Sequence, residues 1–511
     1  MPISRRAFLR GAAATVAAPA SLRLSAAQLE KDDQLFRHGV ASGDPLSNRV
    51  VLWTRVTIRA TRSVTDPIEV AWRVAHDEQL TRVVARGTAL ASPDRDFTVK
   101  VDAAGLEPGR TYFYAFAAGG QQSPIGRTRT TGARGTGRTR LAAASCSNYG
   151  TGYFNVYRCL ATRDDLDAVV HLGDYIYETP SGTYGDGPAA GRVSQRAEPD
   201  VTLADYRQRY AAYRSDVDLQ AVHARHPFIA VWDDHELADN AWSDGASGHE
   251  AAAGPWKARQ AAAYQAYREW MPVRESTESG IRLYRSFRIG DLADVIMLDT
   301  RGARDEQLPR DDIRRMDGRN RSLLGPAQEH WLFDQLRGSK RDNIRWRLIG
   351  QQIMFSSLNA PGTPVNPDFW EGYPAARTRV LDYLADQDLT NVAVLAGDIH
   401  SSWAFDVPMN PWGGERRDRR RVAVELVTPA ISSPPLLAEP GMRERMELIL
   451  SRAPHVRFFD GDRNGYVLLD LTRDRLRADW FFVQSVTERH DRESRGASFV
   501  CEHGSSRLTP P

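Results

Sequence analysis

Ala168-Val169-Val170-His171-Leu172-Gly173-Asp174-Tyr175-Ile176-Tyr177 decides the fold. An apolar run of strand length ends in glycine, a carboxylate and two tyrosines. Such a run is a strand buried on both faces, with its polar groups released at the C-terminal end. Two further stretches repeat the pattern. Phe228-Ile229-Ala230-Val231-Trp232 leads into Asp233-Asp234-His235-Glu236, and Val392-Ala393-Val394-Leu395-Ala396-Gly397 leads into Asp398-Ile399-His400. In open α/β sheets ligands bind beyond the carboxyl ends of the strands. Three such ends converging make a hard, anionic pocket for metal ions.

From these motifs outward, strands and helices mix between residues 140 and 490. Strands are expected at 141–145, 166–172, 282–289, 294–298, 344–349 and 392–395, with a late hairpin at 465–471 and 477–483. Helices are expected at 154–161, 255–270, 325–336 and 377–385, the third opening on Gly325-Pro326, where proline is tolerated. This reads as a layered α/β domain, two sheets flanked by helices, with a sheet on each side of the site. Residues 35–132 differ. Val50–Val56, Ile68–Val74, Phe97–Val101 and Thr111–Phe116 alternate in the β manner between Pro, Gly, Asp and Ser turns, as in a small fibronectin-like β-sandwich. Residues 133–139 lack apolar anchors and read as a linker, residues 491–511 as a C-terminal tail, and 182–198, rich in Gly, Pro and Ala, as a loop beside the site.

The first 27 residues read as an address. Ser4-Arg5-Arg6-Ala7-Phe8-Leu9-Arg10 matches the twin-arginine export pattern, and Ser25-Ala26-Ala27 supplies small residues for cleavage. Export through the twin-arginine machinery would place the protein in the periplasm, at the cell envelope or outside the cell. No stretch is long and apolar enough to span a bilayer. Over 511 residues the formal charge is +2, and removing four arginines with this segment leaves 63 basic against 65 acidic residues. A near-neutral chain offers no bulk basic field, so no stable nucleic-acid complex is expected. Three cysteines are too few for a disulfide framework.

The donors at the strand ends point to metal chemistry. Asp174 can bridge two cations, and Tyr177, three residues on, can fold back to the same site. Gly173 permits the close backbone approach this requires. A free phenol has a pKa of about 10, so a coordinated phenolate implies a strongly Lewis-acidic ion such as Fe3+. Cys146, in Ser145-Cys146-Ser147-Asn148 after the first α/β strand, offers a thiolate, which selects iron, copper or zinc over calcium and magnesium. Cys159 reads as a small buried hydrophobe on a helix face, and Cys501 as part of a polar tail. Asp233-Asp234-His235-Glu236, followed by Asp239-Asn240, supplies oxygen ligands for a hard cation, and spacing does not rank Asp233 against Asp234. His235 is placed to donate to a phosphoryl oxygen. Asp398 and His400, two residues apart, are expected on one face of an extended strand end. The chain therefore reads as a metal-dependent phosphoesterase, with Asp174, His235 and His400 as catalytic groups.

Together with His38-Gly39-Val40-Ala41-Ser42-Gly43-Asp44-Pro45, these motifs resemble the alkaline phosphatase D family of secreted bacterial phosphoesterases. The resemblance covers nearly all of the chain after residue 27. It implies a metal core like that of purple acid phosphatases, with one Fe3+ and Ca2+, cleaving phosphodiesters and phosphomonoesters. By motif it implies that Cys146 and Tyr177 bind iron and that Asp174 bridges iron to calcium. Asn240, Asp398 and His400 would complete the cluster, with Asp234 a further ligand. Where the wider metallophosphoesterase pattern has Gly-Asn-His this chain has Asp-Asp-His, which leaves the calcium ligands open. The expected reaction is attack of a metal-bound hydroxide or oxide on phosphorus. Candidate phosphoesters are teichoic acid, phospholipid and nucleotide. Two other readings remain at this stage. One is a dizinc or dimanganese nucleotidase or phospholipase on a related scaffold; the other is a non-catalytic, calcium-dependent wall-binding protein.

Overall fold

The computed structural model describes residues 35–58, 65–180, 182–183, 192, 198–275, 282–358, 364–413, 415 and 418–511. The export segment and nearly all of the 182–198 loop lie outside them. In chain order the first strands are β1 (Val40–Gly43), β2 (Arg49–Arg55), β3 (Ile68–Ala75), β4 (Val83–Ala91), β5 (Thr98–Ala104), β6 (Thr111–Ala118), β7 (Gln121–Gln122) and β8 (Gly126–Arg129). Next come β9 (Arg138–Ala144), α1 (Asn155–Thr162), β10 (Ala168–His171), α2 (Leu203–Arg214), α3 (Val217–Arg225), β11 (Pro227–Ala230) and α4 (Trp256–Trp270). The second half holds β12 (Arg285–Ile289), β13 (Ala293–Met297), α5 (Ile313–Met316), α6 (Gly325–Arg341), β14 (Trp346–Gly350), α7 (Pro374–Asp386), β15 (Val392–Ala396), β16 (Ser402–Pro408) and β17 (Arg421–Val427). It ends with α8 (Met442–Leu450), β18 (Val456–Asp460), β19 (Gly465–Thr472), β20 (Arg475–Val483) and β21 (Glu493–Glu502).

Two large sheets make the layered domain. One runs β21-β20-β19-β9-β10-β11-β1-β2-β5, the other β12-β13-β14-β15-β17-β16-β18. Each is parallel at its centre: β9, β10, β11 and β1 in the first, β13, β14, β15 and β17 in the second. Strand periodicity explains how the sheets pack. Along β15, Ala393 and Leu395 enter the core shared with the first sheet, whereas Val392, Val394 and Ala396 enter a second core under α6 and α7. The central strands are mostly apolar because both faces are covered.

The β-sandwich is present, but it is not separate. Val50 and Leu52 of β2 face Val70, Val74, Tyr112, Tyr114 and Phe116 of the small sheet, while Trp53 points the other way into the main core. One layer of the sandwich is thus the end of the nine-stranded sheet. Two expected boundaries shift for the same reason. Arg138 and Thr139, assigned to the linker, already pair with β19 as the start of β9. The expected tail contains β21, which pairs along β20 and buries Cys501, so that cysteine is a sheet residue.

Candidate metal centre

The C-terminal ends of β9, β10, β11 and β15 open onto one place. Cys146, Asp174, Asp398 and His400 all have left-handed backbone, with φ of 63, 55, 65 and 51°, as has Asn240 at 52°. Non-glycine residues rarely adopt this conformation, and where they do the surroundings hold them there. Glu236 is one such clamp. Its fully buried carboxylate accepts from the backbone N–H groups of Asp174, Tyr175 and Asp233 at 3.1, 2.8 and 2.8 Å. It organises the loops around the site.

Three overlapping groups of side chains hold ligand atoms within 4.8 Å of one another: Cys146, Asp174 and His400; Asp174, Asp234 and His235; Asp233, Asp234 and Asp398. Asp174 is shared by the first two. Tyr177 joins the first, its hydroxyl 2.9 Å from Asp174 Oδ2 and 3.0 Å from His400 Nε2, while accepting from Ser433 at 2.8 Å. One phenolic proton cannot serve both acceptors. His400 Nδ1 lies 3.1 Å from the Pro434 carbonyl and must donate to it, which turns the Nε2 lone pair toward the cluster, as in a metal-ligating histidine. Asn240 N donates to Asp234 Oδ2 at 2.7 Å, closing the turn after the acidic run.

The same-face reading of Asp398 and His400 is corrected by the structure. Strand β15 ends at Ala396, and the left-handed residues 398 and 400 break the two-residue period. Asp398 therefore joins Asp233 and Asp234, and His400 joins Cys146 and Asp174.

The electrostatics call for added positive charge. Burial pushes the Asp174 carboxyl well above the usual range against the pull of His235, and burial also raises the Cys146 thiol and the Tyr177 phenol. Burial and His235 lower His400 to about 4. For His235 burial opposes the charge, but Glu178, 2.8 Å from Nδ1, with Asp174 and Asp234, outweighs it and holds the imidazolium well above its ordinary pKa. The His235 ring also stacks on Tyr177, centroids 4.2 Å apart. Asp174 Oδ1 and Asp233 Oδ2 are buried with no hydrogen-bond partner, a costly state unless a cation meets them. Thiol, phenol, imidazole and carboxylate on one side suit a transition-metal ion, and the carboxylates on the other side suit a hard, oxygen-loving cation.

Sequence reasoning missed the basic side of the site. Arg301 pairs with Asp233 and lies 2.7 Å from Asp398 Oδ1, and Asp368 and Arg304 stand behind it. The signal was available: Val295-Ile296-Met297-Leu298 leads into Asp299-Thr300-Arg301, a fourth apolar run ending in polar groups. His171, by contrast, is a packed residue, bonded to the Tyr157 hydroxyl at 2.8 Å.

Two facing sheets with an acidic, thiol-bearing pocket at their strand ends define a layered α/β protein with a candidate metal centre. The comparisons agree. The family model described as PhoD-like phosphatase matches residues 141–480, and the PhoD-like phosphatase N-terminal domain matches residues 21–132. Alkaline phosphatase D of Bacillus subtilis (strain 168) is 40% identical over 484 residues, 91% of this chain and 80% of the relative. A solved structure of PhoD matches with a TM-score of 0.82 at 36% identity, covering 94% of this chain and 93% of its own. The chain belongs to the PhoD-like phosphatase family. Among the described residues no helix is long and apolar enough to cross a membrane.

Proposed function

We propose that the protein is an exported, metal-dependent hydrolase of phosphodiesters and phosphomonoesters, carried out of the cytoplasm by the twin-arginine route. Cys146 and Tyr177 would hold Fe3+, Asp174 would serve both ions, and Asn240, Asp398 and His400 would complete the cluster that holds Ca2+ beside it, with Asp234 a further ligand. The observation that carries this reading is Asp174, whose Oδ1 is buried without a hydrogen-bond partner and whose carboxylate belongs to two donor clusters. Bound there, the two ions would supply Lewis acidity and neutralise the charge of a phosphoryl group.

The chain's own groups do the rest. His235, kept protonated by Glu178, donates to a phosphoryl or leaving-group oxygen. Glu178 is in turn fixed by the Asp239 N–H at 2.9 Å. Tyr177 stacks on His235 and sets its plane. Phosphoryl transfer asks mainly for positioning and charge stabilisation, which this rigid shell of loops provides.

The test is metal content together with hydrolysis of a chromogenic phosphodiester and monoester, with and without calcium chelation, for wild type and Cys146→Ala. Iron and calcium, a tyrosinate-to-iron colour, and loss of both colour and activity in the variant are expected. Zinc or manganese with an active variant would instead support the dizinc or dimanganese nucleotidase or phospholipase reading. Metal without hydrolysis of either ester would leave only a calcium-dependent binding protein.

A further inference from the structure

Arg301 is fully buried, yet it reaches four carboxylates. Nε pairs with Asp233 Oδ1, Nη1 sits 2.9 Å from both oxygens of Asp368, and Nη2 sits 2.7 Å from Asp398 Oδ1 and 3.7 Å from Asp234 Oδ1. Arg304 backs Asp368, donating to Oδ1 at 2.7 Å and to the Asp368 carbonyl at 3.2 Å. The backbone is pinned as well. Arg301 N donates to Asp299 Oδ1 at 3.0 Å, and Thr300 N to Gln352 Oε1, also at 3.0 Å. Asp233 comes from the end of β11 in one sheet and Asp398 from the end of β15 in the other. A single guanidinium thus joins the two sheets at the site.

The charges are instructive. Four carboxylates (Asp233, Asp234, Asp368, Asp398) face two guanidiniums (Arg301, Arg304), so the arginines offset part of the acidic charge and leave room for a further cation. A buried charge is tolerable only when its partners are complete, and removing one partner strands the others. Arginine suits this place because its planar fork addresses several carboxylates at fixed angles, which a lysine ammonium does not.

We propose that Arg301 is a positioning residue acting as a permanent internal cation. It holds Asp233 and Asp398 in register across the two sheets and keeps the acidic half of the site assembled without its divalent ion. By drawing on Asp398 and, at 3.7 Å, on Asp234, two carboxylates of the proposed metal cluster, it also weakens divalent binding, so that the ion is exchangeable rather than required for folding. This inference rests on the metal-centre reading above.

The experiment uses the full iron-loaded protein as wild type, Arg301→Gln and Arg301→Lys, each stripped of calcium by chelation. Calcium affinity is read by calorimetric titration, and Tm is recorded with and without calcium. Loss of the fixed charge should tighten calcium binding in Arg301→Gln by about tenfold and at least double the rise in Tm that calcium produces. Arg301→Lys, which keeps the charge but not the fork, should stay within about threefold of wild type in calcium affinity while kcat drops about tenfold at nearly unchanged KM. An Arg301→Gln protein that binds calcium no tighter and gains no more Tm than wild type overturns the inference alone. Wild type that takes up no divalent ion overturns the metal-centre reading with it. Should Arg301→Gln fold only with calcium, the dependence is shown in its extreme form. Should it fold in neither condition, the lysine variant decides, and a calcium affinity outside the threefold window overturns the inference.

Discussion

Gly173 packs directly against Asp233: a Cβ on residue 173 would meet the Asp233 backbone N at 2.6 Å and its Cβ closer still. With φ at +108°, residue 173 also lies outside the range that side chains tolerate. This contact sets the spacing between the β10 and β11 strand ends, and therefore between Asp174 and the acidic run.

Gly173→Ala should accordingly damage the site more than the fold. Backbone strain is worth about 1–3 kcal/mol, a modest fall in Tm. The forced separation of Asp174 from Asp233 should empty the centre and lower kcat at least about 100-fold, as small misplacements of reacting groups do. Gly105→Ala is the control, because its φ is +81° but its Cβ would meet nothing within 4 Å. It should lose stability alone. Metal content that survives in Gly173→Ala would show that the spacing is not set here.

Asp44 closes the motif His38–Pro45, and the structure gives it a joining role. It is fully buried, accepts from Arg285 Nη2 and Nε at 2.7 and 2.8 Å, and takes the Arg274 N–H at 2.6 Å. Arg285 also reaches the Ala230 carbonyl at the end of β11, at 2.6 Å. The pair thus ties the end of β1, in the nine-stranded sheet, to the start of β12 in the seven-stranded one. Asp44→Asn leaves the half-buried Arg285 short of its charge partner, which should cost about 1–3 kcal/mol. Urea unfolding should show that loss, with kcat at 25 °C within about twofold of wild type for the fraction that remains folded. A large drop in kcat without a stability change would mean that Asp44 serves the chemistry.

Much of this was legible because the central strands are buried on both faces and end abruptly in polar residues, so Asp174, the unranked pair Asp233-Asp234 and Asp398 stand out as candidate donors. Where packing hides the period, the sequence was silent. Helix α2 buries Tyr206, Tyr210 and Tyr213 at helical spacing, but Arg209 and Arg214 are buried beside them, so no apolar stripe stands out. Strand β21 is an edge strand with an exposed, polar first half, which reads as tail. Arg301 escaped notice because a basic residue at a strand end does not suggest a cation site until the carboxylates around it are located. The left-handed turns at Asp398 and His400 depend on Arg301 and Pro434 contacts from distant segments, which local periodicity does not encode.

Two histidines remote from the centre make the fold sensitive to acid. His226 Nε2 faces the Leu160 carbonyl at 3.0 Å and His455 Nε2 faces the Ser357 carbonyl at 2.9 Å, so each donates there, and each Nδ1 is buried without a partner. Burial lowers both to about 4 from an ordinary 6.5. Between these values the unfolded chain binds protons that the folded protein refuses. The contribution to stability is therefore complete above pH 6.5 and is lost as pH falls toward 4, at about 1.4 kcal/mol per unit for each histidine. Comparing His455→Gln with wild type by urea unfolding at pH 7.5, 5.5 and 4.5 isolates one of them. The variant should lose less stability than wild type over this range, and parallel losses would exclude the assignment.

Glu178 lies next to Tyr177 in sequence but acts on His235. Its Oε2 is 2.8 Å from His235 Nδ1, its Oε1 takes the Asp239 N–H, and it is almost fully buried. The carboxylate therefore fixes the ring and supplies the largest of the attractions that keep it protonated against burial. Glu178→Gln preserves the shape and a hydrogen-bonding partner but removes the charge. The raised pKa of His235 should fall, so the proton is lost at lower pH, and the alkaline limb of kcat/KM should move to lower pH. At neutral pH kcat should drop about 10²-fold, the usual scale for a lost proton donor, while iron content and Tm stay near wild type. The informative readout is the profile rather than the rate. A uniform loss of rate with an unmoved alkaline limb would assign Glu178 to loop structure, whereas a displaced limb with intact metal content ties it to the proton on His235.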